Sequence, residues 1–393
     1  MEMKTVHIGD LGDIKTGSTP SKKNPDNYGD YALWIKPTDI NPEEKYTRVV
    51  EEMFSEKAAN DCRSRLVPAR SICVPCIGTV GTKLTMTPCD CFVNQSINAI
   101  IPNEEYDNDY VYYVLLNFLP NLKSINKGTA SGREYIAKSA FENIELQVHA
   151  DINVQRAIGR ILSAYDDMID NCKRQIALIE EAAQRLYREW FVDMRFPGHE
   201  SASIGENGLP EGWVKVKLPE IASVRFGYAF DGSKFNSAGE GTPIIRIRNI
   251  PNSYTNDFTT ENADEKYIIK FGDILVGMDG EFHINAWSDM DAYLVQRVCA
   301  IDPLNNEDRG FMFLAINAPI KFFERTLTGA TVAHLGKKHL DSITILLPPS
   351  SLRTTFKSYF DLRLNKMRQL RYLVNSRDLL LPRLLSGQIE INA

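Results

Sequence analysis

The chain has 393 residues and a mass of 44.5 kDa, enough for two or three domains of ~100–200 residues each. Its 43% hydrophobic and 24% charged residues exclude a disordered or collagen-like protein, and its apolar runs are shorter than the ~18–20 residues of a membrane-spanning helix. A net charge of −6 argues against nucleic-acid binding by bulk charge alone, but not by basic groups concentrated locally. The seven cysteines, an odd number, and the lack of a basic-then-apolar start predict a cytoplasmic chain without a signal peptide.

Short motifs recur in the two halves of the chain in the same order. The matched pairs are residues 91–100 with 293–301, 127–130 with 328–331, 144–148 with 343–348, and 163–167 with 357–361. The members of each pair are separated by between about 194 and 202 positions. The sequence therefore predicts two diverged copies of one unit of roughly 200 residues, each a globular part followed by a long helix.

Each globular part has the pattern of a mixed α and β domain. Residues 71–75 and 273–277 are short apolar runs bounded by Gly or Pro, which predicts strands. Residues 110–119 and 311–316 predict buried helices. Between the two halves, residues 196–212 are rich in Gly, Pro and Ser and predict a linker.

A long helix with a regular apolar seam follows the first globular part. The apolar positions alternate by three and four residues for more than four heptads, which predicts a coiled coil. The seam consists of Ile158, Leu162, Tyr165, Ile169, Cys172, Ile176, Ile179, Ala183, Leu186 and Trp190. At ~1.5 Å per residue, residues 155–193 span roughly 58 Å, the length of ~17 base pairs of DNA.

The end of the chain carries a second, less regular seam. It consists of Leu352, Phe356, Tyr359, Leu370, Leu373, Leu380 and Leu384. Arg363, Lys366 and Arg377 interrupt it. Two tandem copies related by a twofold axis would place the helices antiparallel, with the globular parts at opposite ends. The alternative is that both helices only hold a two-part monomer together.

Catalytic motifs are missing from the sequence. The one Pro-Pro pair, at 348–349, lacks the flanking residues of an adenine-methyltransferase loop, and the glycine turn at 78–81 is too short for S-adenosylmethionine. No P-loop lysine motif is present. Residues 37–45 contain a Pro, an Asp, a Glu and a Lys, but their spacing is too close for a nuclease site. We therefore predict no catalytic residues.

Four cysteines lie close together in the first half of the chain. Cys73 and Cys76, with Cys89 and Cys91, approach the spacing of a zinc ribbon. The second pair has one intervening residue instead of two, and the second copy carries Leu275 in place of Cys73. We therefore expect core cysteines and no bound metal.

Polar and basic residues that could contact nucleic acid lie mostly in loops. Residues 12–24 are dense in hydroxyls, amides, lysines and glycine, a composition that can donate to phosphates. Arg246 and Arg248 alternate on a predicted strand, which would put both guanidiniums on one face for guanine or phosphate. The candidates are Lys15, Thr16, Ser18, Thr19, Lys22, Lys23, Arg133, Arg225, Tyr228, Arg246, Arg248 and Asn249. The alternative for each candidate residue is that it belongs to a solvated loop or strand edge and does not contact nucleic acid.

Several motifs together resemble those of a known family. They are residues 15–21 (KTGSTPS), 34–40 (WIKPTDI), 186–192 (LYREWFV), 209–213 (LPEGW) and 377–387 (RDLLLPRLLSG). With these motifs and the duplicated plan, the chain resembles, over essentially its full length, the specificity subunits of type I restriction-modification systems. The opening of the second copy, residues 224–230, departs from the KTGSTPS pattern, as expected if the two copies recognise different half-sites.

The resemblance implies an α+β protein with two tandem mixed α/β target-recognition domains, each followed by a long helix. The two helices would form an antiparallel coiled coil with pseudo-twofold symmetry. The expected boundaries are residues 1–149 for the first domain, 150–195 for the central helix, 196–349 for the linker and second domain, and 350–393 for the distal helix and tail. Each domain would recognise one half of a bipartite DNA site, and the helix pair would set the gap between the halves.

The resemblance also implies partners. They are double-stranded DNA, two methylation subunits docked on the helices, and restriction subunits, with no membrane. S-adenosylmethionine, magnesium and ATP would belong to the partner subunits, so that the chain has no cofactor of its own. The partners would also neutralise phosphates that an acidic chain cannot.

Two other functions stay open at this point. One is a protein-interaction scaffold with two binding ends, for which salt-insensitive co-purification with a protein would argue. The other is a metal-dependent enzyme that uses the cysteine cluster, for which loss of function on replacing Cys76 and Cys91 with serine would argue.

Overall fold

The computed structural model describes residues 2–125, 134–327 and 333–391. The chain divides into two compact units, of which unit 1 comprises Met1–Asn171 and Tyr372–Ala393, and unit 2 comprises Cys172–Arg371. Two long helices, Ile152–Phe191 and Thr355–Leu385, each contribute residues to both units; we call them the central helix and the distal helix. The four domain boundaries expected from the sequence stay a prediction.

Unit 1 is a mixed α and β fold of short strands. Its strands are Met3–His7, Gly12–Thr16, Tyr28–Gly29, Ala32–Ile35, Met53–Phe54, Ile72–Pro75, Thr85–Met86, Phe92–Val93, Ile97–Pro102 and Glu145–His149. Its helices, besides the long ones, are Glu56–Asp61, Asn108–Ile125 and Lys138–Glu142. The Ser55 hydroxyl accepts a hydrogen bond from the Ala58 amide and caps the first of these helices.

Two small sheets and a strand pair organise unit 1. The antiparallel first sheet has the order Gly12–Thr16, Ile97–Pro102, Ile72–Pro75, Thr85–Met86. The second has the order Tyr28–Gly29, Met53–Phe54, Ala32–Ile35, Phe92–Val93, and its last two strands are parallel. Met3–His7 pairs with Glu145–His149. One core joins the first sheet to helix Asn108–Ile125 and to the start of the central helix, through buried residues such as Ile72, Ile100, Tyr110 and Ile158.

Unit 2 is built from equivalent elements. Its strands are Val214–Lys217, Ala222–Phe226, Phe235–Asn236, Thr242–Ile245, Phe258–Thr259, Ile268–Ile269, Ile274–Gly277, Ile284–Ala286, Ala292–Leu294, Val298–Pro303 and Thr344–Leu347. Its helices, besides the long ones, are Leu218–Ile221, Arg309–Ala315, Asn317–Thr326, Lys337–Ser342 and Ser350–Arg353.

The strand order of unit 2 repeats that of unit 1, with one strand, Ile268–Ile269, added at the end of the second sheet. Its first sheet has the order Ala222–Phe226, Val298–Pro303, Ile274–Gly277, Ile284–Ala286. Its second sheet has the order Phe235–Asn236, Phe258–Thr259, Thr242–Ile245, Ala292–Leu294, Ile268–Ile269, again with one parallel pair. Ile72 pairs with Ile100 in unit 1, and Ile274 pairs with Ile301 in unit 2. The predicted duplication is therefore confirmed, as are the predicted strands and buried helices; the matched motifs at 127–130 and 328–331 lie outside the described residues.

The central and distal helices run antiparallel in unit 2. Glu180 of the central helix pairs with Arg363 of the distal helix. Seven residues later in the central helix, the ring of Tyr187 lies 6.0 Å from that of Phe356, seven residues earlier in the distal helix. The predicted antiparallel direction is confirmed by these two contacts, whereas the supercoil stays a prediction.

The charged residues of the distal helix do not interrupt its packing as the sequence pattern suggested. In unit 1, Arg377 NH1 lies 2.7 Å from Asp166 Oδ1 of the central helix. In unit 2, the Arg363 side chain is only 10% exposed and binds Glu180. Lys366 is half-buried, and its backbone carbonyl accepts a hydrogen bond from a cysteine thiol of the central helix. The expectation that these residues interrupt the seam was wrong for the two arginines, because each pairs with a carboxylate that is far away in sequence.

The predicted seam residues are all at least partly shielded from solvent. The buried ones are Ile158, Leu162, Ile169, Cys172, Ala183, Phe356 and Leu384. The half-buried ones are Tyr165, Ile176, Ile179, Leu186, Trp190, Leu352, Tyr359, Leu370, Leu373 and Leu380. Phe360, Leu364, Leu381 and Leu385 are buried as well, so the apolar face of the distal helix is wider than the predicted seam.

The glycine- and proline-rich segment at 196–212 is anchored at both ends in unit 2. Phe196 and Trp213 are buried, and their ring centroids lie 4.8 Å apart. Between them, Gly208 adopts a φ of 71°, a conformation that favours glycine. The composition that predicted a linker here therefore also serves turns on the surface of unit 2.

All seven cysteines lie in the described part of the chain and are free thiols.

Within residues 2–125, 134–327 and 333–391, none of the helices is long and apolar enough to span a bilayer. The cytoplasmic location stays a prediction.

Candidate nucleic-acid interface

The polar loop of unit 1 begins where the edge strand Gly12–Thr16 ends. Gly17 passes so close to the second sheet that a Cβ atom there would lie 1.9 Å from the Val93 carbonyl oxygen, so a larger residue cannot fit. The Ser18 amide donates to the same oxygen at 3.0 Å, and Trp34 Nε1 donates to the Ser18 carbonyl at 3.1 Å. These contacts fix the first turn of the loop, and most of the residues that follow are exposed.

A short turn brings two arginines beside this loop. The 3-10 turn Arg63–Arg65 is held against the end of the edge strand because Arg65 NH1 donates to the Thr16 carbonyl at 2.9 Å. Lys15 Nζ donates in the opposite direction, to the Leu66 carbonyl at 2.8 Å. Arg63 and Arg65 are both exposed. Neither arginine was predicted from the sequence, because Arg65 is 49 positions away from Thr16 and both arginines belong to no recognisable motif.

The candidate residues of unit 1 fall into two groups. Lys22 and Lys23 are exposed. The name basic patch is used here for the four exposed basic residues of the loop and of the adjoining turn, Lys22, Lys23, Arg63 and Arg65. Thr19 is also exposed, and its hydroxyl accepts a hydrogen bond from Asn94 at 3.0 Å.

The remaining unit 1 candidates are half-buried and bind groups of the protein. Lys15 is held as described above, Thr16 Oγ1 donates to Asn98 Oδ1 at 2.7 Å, and the Ser18 hydroxyl lies 3.8 Å from a cysteine sulfur. These three residues therefore shape the loop from beneath. Arg133 lies outside the described residues.

The loop of unit 2 docks by the same contacts as the loop of unit 1. A Cβ atom on Gly227 would lie 2.2 Å from the Val295 carbonyl oxygen, and the Tyr228 amide donates to the Leu294 carbonyl at 2.9 Å. The Tyr228 ring is half-buried and packs against Phe230 and Tyr267. An aromatic cluster therefore stands where unit 1 has the start of its hydroxyl-rich loop.

Arg225, one of the residues predicted to contact DNA, is engaged by groups of its own unit. All five of its N–H groups donate within unit 2: two to Asp302, one to Asp273 and two to the carbonyls of Lys266 and Ile268. The hydrogen bonds with Asp302 hold the pKa of Arg225 above its ordinary value. The donors of the guanidinium are thus used within unit 2, and contact of Arg225 with DNA stays a prediction.

Arg246 and Arg248 do not share a strand face, which corrects a second expectation. The strand ends at Ile245, and Ile247–Asn249 form a 3-10 turn. Asn249 closes this turn, because its side-chain oxygen accepts from the Arg246 amide at 2.8 Å. The exposed Arg248 forms a bidentate pair with Asp257, and the half-buried Arg246 stacks over a phenylalanine ring at 5.5 Å.

The cysteine cluster lies in the core of unit 1. Cys73, Cys76 and Cys91 are buried, and Cys89 is exposed. Burial raises the pKa of Cys73 and Cys76 to about 12, which disfavours the thiolate that a metal requires. In the part of the chain that the structure describes, no three His, Cys, Asp or Glu side chains are grouped to hold a metal ion.

Comparisons with known proteins agree with this architecture. The family model for the type I restriction modification DNA specificity domain matches residues 1–181 and 210–352. The chain is 26% identical to the type I restriction enzyme MjaIX specificity subunit of Methanocaldococcus jannaschii, over 98% of this chain and 93% of that protein. It is 33% identical to the HindI specificity subunit of Haemophilus influenzae, over 43% of this chain and 36% of that protein.

A solved structure shares the fold. The S subunit of a type I restriction-modification system from M. genitalium superimposes with a TM-score of 0.63 at 18% identity, over 100% of this chain and 97% of that one. The family model covers the greater part of this chain in two stretches, in agreement with the repeated strand order. The chain therefore belongs to the family of type I restriction-modification DNA specificity subunits.

Proposed function

We propose that this chain recognises DNA for a type I restriction-modification complex, with each unit contacting one half of a bipartite site. DNA sequence recognition is the role of the family, whose members are non-catalytic parts of such complexes. The observation that carries the finer proposal is one scaffold present twice with different exposed residues. Two similar domains that present different side chains to the bases can recognise the two unlike halves of an asymmetric site.

The two docked loops support this assignment. Gly17 and Gly227 occupy the same place on equivalent sheets. The basic patch lies in and beside the loop of unit 1, whereas Tyr228 and its aromatic neighbours lie in and beside the loop of unit 2. Lysine and arginine suit phosphates and guanine, and aromatic side chains suit apolar contact with bases.

We propose that the helix pair sets the gap between the half-sites. The central helix has 40 residues, a length of ~60 Å at ~1.5 Å per residue. The antiparallel pairing fixes its register against the distal helix in each unit. A paired helix is stiffer than a loop of the same length, as a spacer between two recognition domains must be.

We also assign the outer surfaces of the helices to two methylation subunits, which restriction subunits would join. In unit 1, Ile161 and Met168 of the central helix and Tyr372 and Leu379 of the distal helix are exposed, each pair seven residues apart. In unit 2, an apolar groove of about 550 Å³ runs beside the central helix at Tyr187. S-adenosylmethionine, magnesium and ATP would be bound by those partners.

The basic patch offers a test by salt dependence. Replacing Lys22 and Lys23 with alanine should weaken DNA binding by the assembled complex about equally for all sequences, because phosphate contacts carry no sequence information. The slope of log affinity against log salt should fall by ~1 for each phosphate that the protein no longer neutralises. The measurement is a binding titration at several salt concentrations.

The exposed Lys138, in the short helix Lys138–Glu142 of unit 1, provides the control. Lys138→Ala should leave the slope unchanged. An unchanged slope in the Lys22→Ala, Lys23→Ala double variant would show that the loop lysines do not contact DNA phosphates. A complex with equal affinity for every DNA sequence would favour the scaffold alternative instead.

A further inference from the structure

In unit 1, a buried polar cluster joins the distal helix to the central helix and to the recognition domain. Arg377 of the distal helix donates from NH1 to Asp166 Oδ1 of the central helix at 2.7 Å. The other oxygen of Asp166 accepts a hydrogen bond from the hydroxyl of Tyr113, in helix Asn108–Ile125 of the recognition domain. Asp166 and Tyr113 are both buried. One carboxylate therefore connects three elements.

Unit 2 contains a cluster with the same three origins but different chemistry. Arg363 of the distal helix donates from Nε to Glu180 of the central helix and from NH2 to Asn285 Oδ1 at 2.8 Å. Asn285 lies in a strand of the first sheet, and its amide nitrogen donates to the carbonyls of Ile250 and Pro251. Here the arginine, not the carboxylate, connects the three elements.

The two arginine–carboxylate pairs are separated by the same number of residues along both helices. Glu180 follows Asp166 by fourteen residues, and Arg363 precedes Arg377 by fourteen. Fourteen residues are two heptads, the period of the apolar seam predicted for the central helix. Each unit thus has its own arginine–carboxylate pair between the two long helices, and each pair is extended into the recognition domain of that unit.

Stability alone is a weak reason for such clusters. Buried ion pairs lose hydration, and apolar residues of similar volume are often equally stabilising in their place. Charged hydrogen bonds are directional, however, and an apolar contact is not. A directional contact among three elements fixes the angle at which they meet.

We propose that Arg377 and Arg363 are positioning residues that fix the angle of each recognition domain on the helix pair, and through it the gap lengths at which both half-sites are bound. The proposal rests on the function proposed above. It assigns the tolerance for gap length to two distal-helix residues that need not touch DNA.

The experiment measures the preference for the native gap. The complex with its methylation subunits is titrated with duplexes whose gap is native, one base pair longer or one base pair shorter. Arg377→Met and Arg363→Met should each reduce the native-gap preference about tenfold, the size expected when one charged hydrogen bond is lost. Base preference within each half-site should stay as in the parent chain.

Lysine substitutions distinguish the two clusters. Arg377→Lys should restore the native-gap preference, because one ammonium can reach the single carboxylate that Tyr113 also contacts. Arg363→Lys should not restore it, because one ammonium cannot replace two N–H groups that point at Glu180 and Asn285. If the two arginines only stabilised the fold, their variants should lower the melting temperature, and the two lysine substitutions should not differ in gap preference.

Two further variants complete the test. Arg383→Met, an exposed arginine on the same helix, should leave the gap preference unchanged. Tyr113→Phe removes one hydroxyl and keeps the ring, so it should widen the tolerated gap even if Arg377→Met fails to fold. Unchanged gap preference in Arg363→Met and Tyr113→Phe would overturn the proposal, whereas a parent complex without any gap preference would overturn the proposed function.

Discussion

Replacing Lys45 with methionine is expected to lower the free energy of unfolding of unit 1 by about 3 kcal/mol, because it breaks a buried ion pair. The Lys45 side chain is only 3% exposed. Its Nζ donates to Asp109 at 2.7 Å and to Ser163 of the central helix at 2.7 Å. Methionine would fill much of the volume, but Asp109 would keep only Arg70 as a charged partner.

Hydrogen exchange of the full chain, read peptide by peptide, measures this effect in unit 1 separately from unit 2. Lys57→Met, at an exposed position, is the control and should change stability by less than ~0.5 kcal/mol. Equal protection of unit 1 in the two variants would contradict the structural role of Lys45.

The same substitution should alter the dependence of stability on pH. Burial alone would raise the pKa of the Asp109 carboxyl, but Lys45 and Arg70 hold it below its ordinary value. A lowered folded-state pKa adds stability above the unfolded value of ~3.9, and this stability is lost as pH falls through the folded value. The difference between the parent chain and Lys45→Met should therefore be full at pH 7 and shrink below about pH 4.

Removing one heptad from both long helices is expected to abolish binding at the native gap. Deleting residues 168–174 and 369–375 takes equal lengths from facing positions, so the pairing of Asp166 with Arg377 and of Glu180 with Arg363 is kept. Seven residues correspond to about 10 Å of helix, or ~3 base pairs. The shortened chain should then contact only one half of the native site, and its affinity should fall about 100-fold or more.

Binding to duplexes with gaps from four base pairs shorter to the native length checks this expectation. Deleting the heptad from the central helix alone breaks the register and should destabilise the chain, which shows that the pairing matters. A doubly shortened chain that still prefers the native gap would contradict the role of the helices as a spacer.

Sequence alone predicted the elements whose pattern is local. The central helix was expected at 155–193 and is found at Ile152–Phe191, because a seam of many heptads is a strong signal. The strand Ile274–Gly277 and helix Asn108–Ile125 were likewise predicted. The repeat, visible in four short motifs, gave the two-unit architecture.

Side-chain roles were harder to predict, because they depend on partners distant in sequence. From the sequence, Arg225 was predicted to be available for DNA, but its guanidinium donates to Asp302, which is 77 positions away. From the sequence, Arg363 was predicted to interrupt the apolar seam of the distal helix, but it pairs with Glu180, which is 183 positions away. Arg246 and Arg248 were misplaced for a different reason, since a capped 3-10 turn begins where the alternating pattern suggested a continuing strand.

The central claim is that two unlike recognition surfaces, on one repeated scaffold, select a split DNA sequence. Sequencing of methylated adenines in cells that express this chain with its methylation subunits tests it directly. The account predicts methylation within one asymmetric motif, made of two short specific segments separated by an unspecified gap of fixed length. Methylation at a single continuous motif, or at no defined motif, would contradict it.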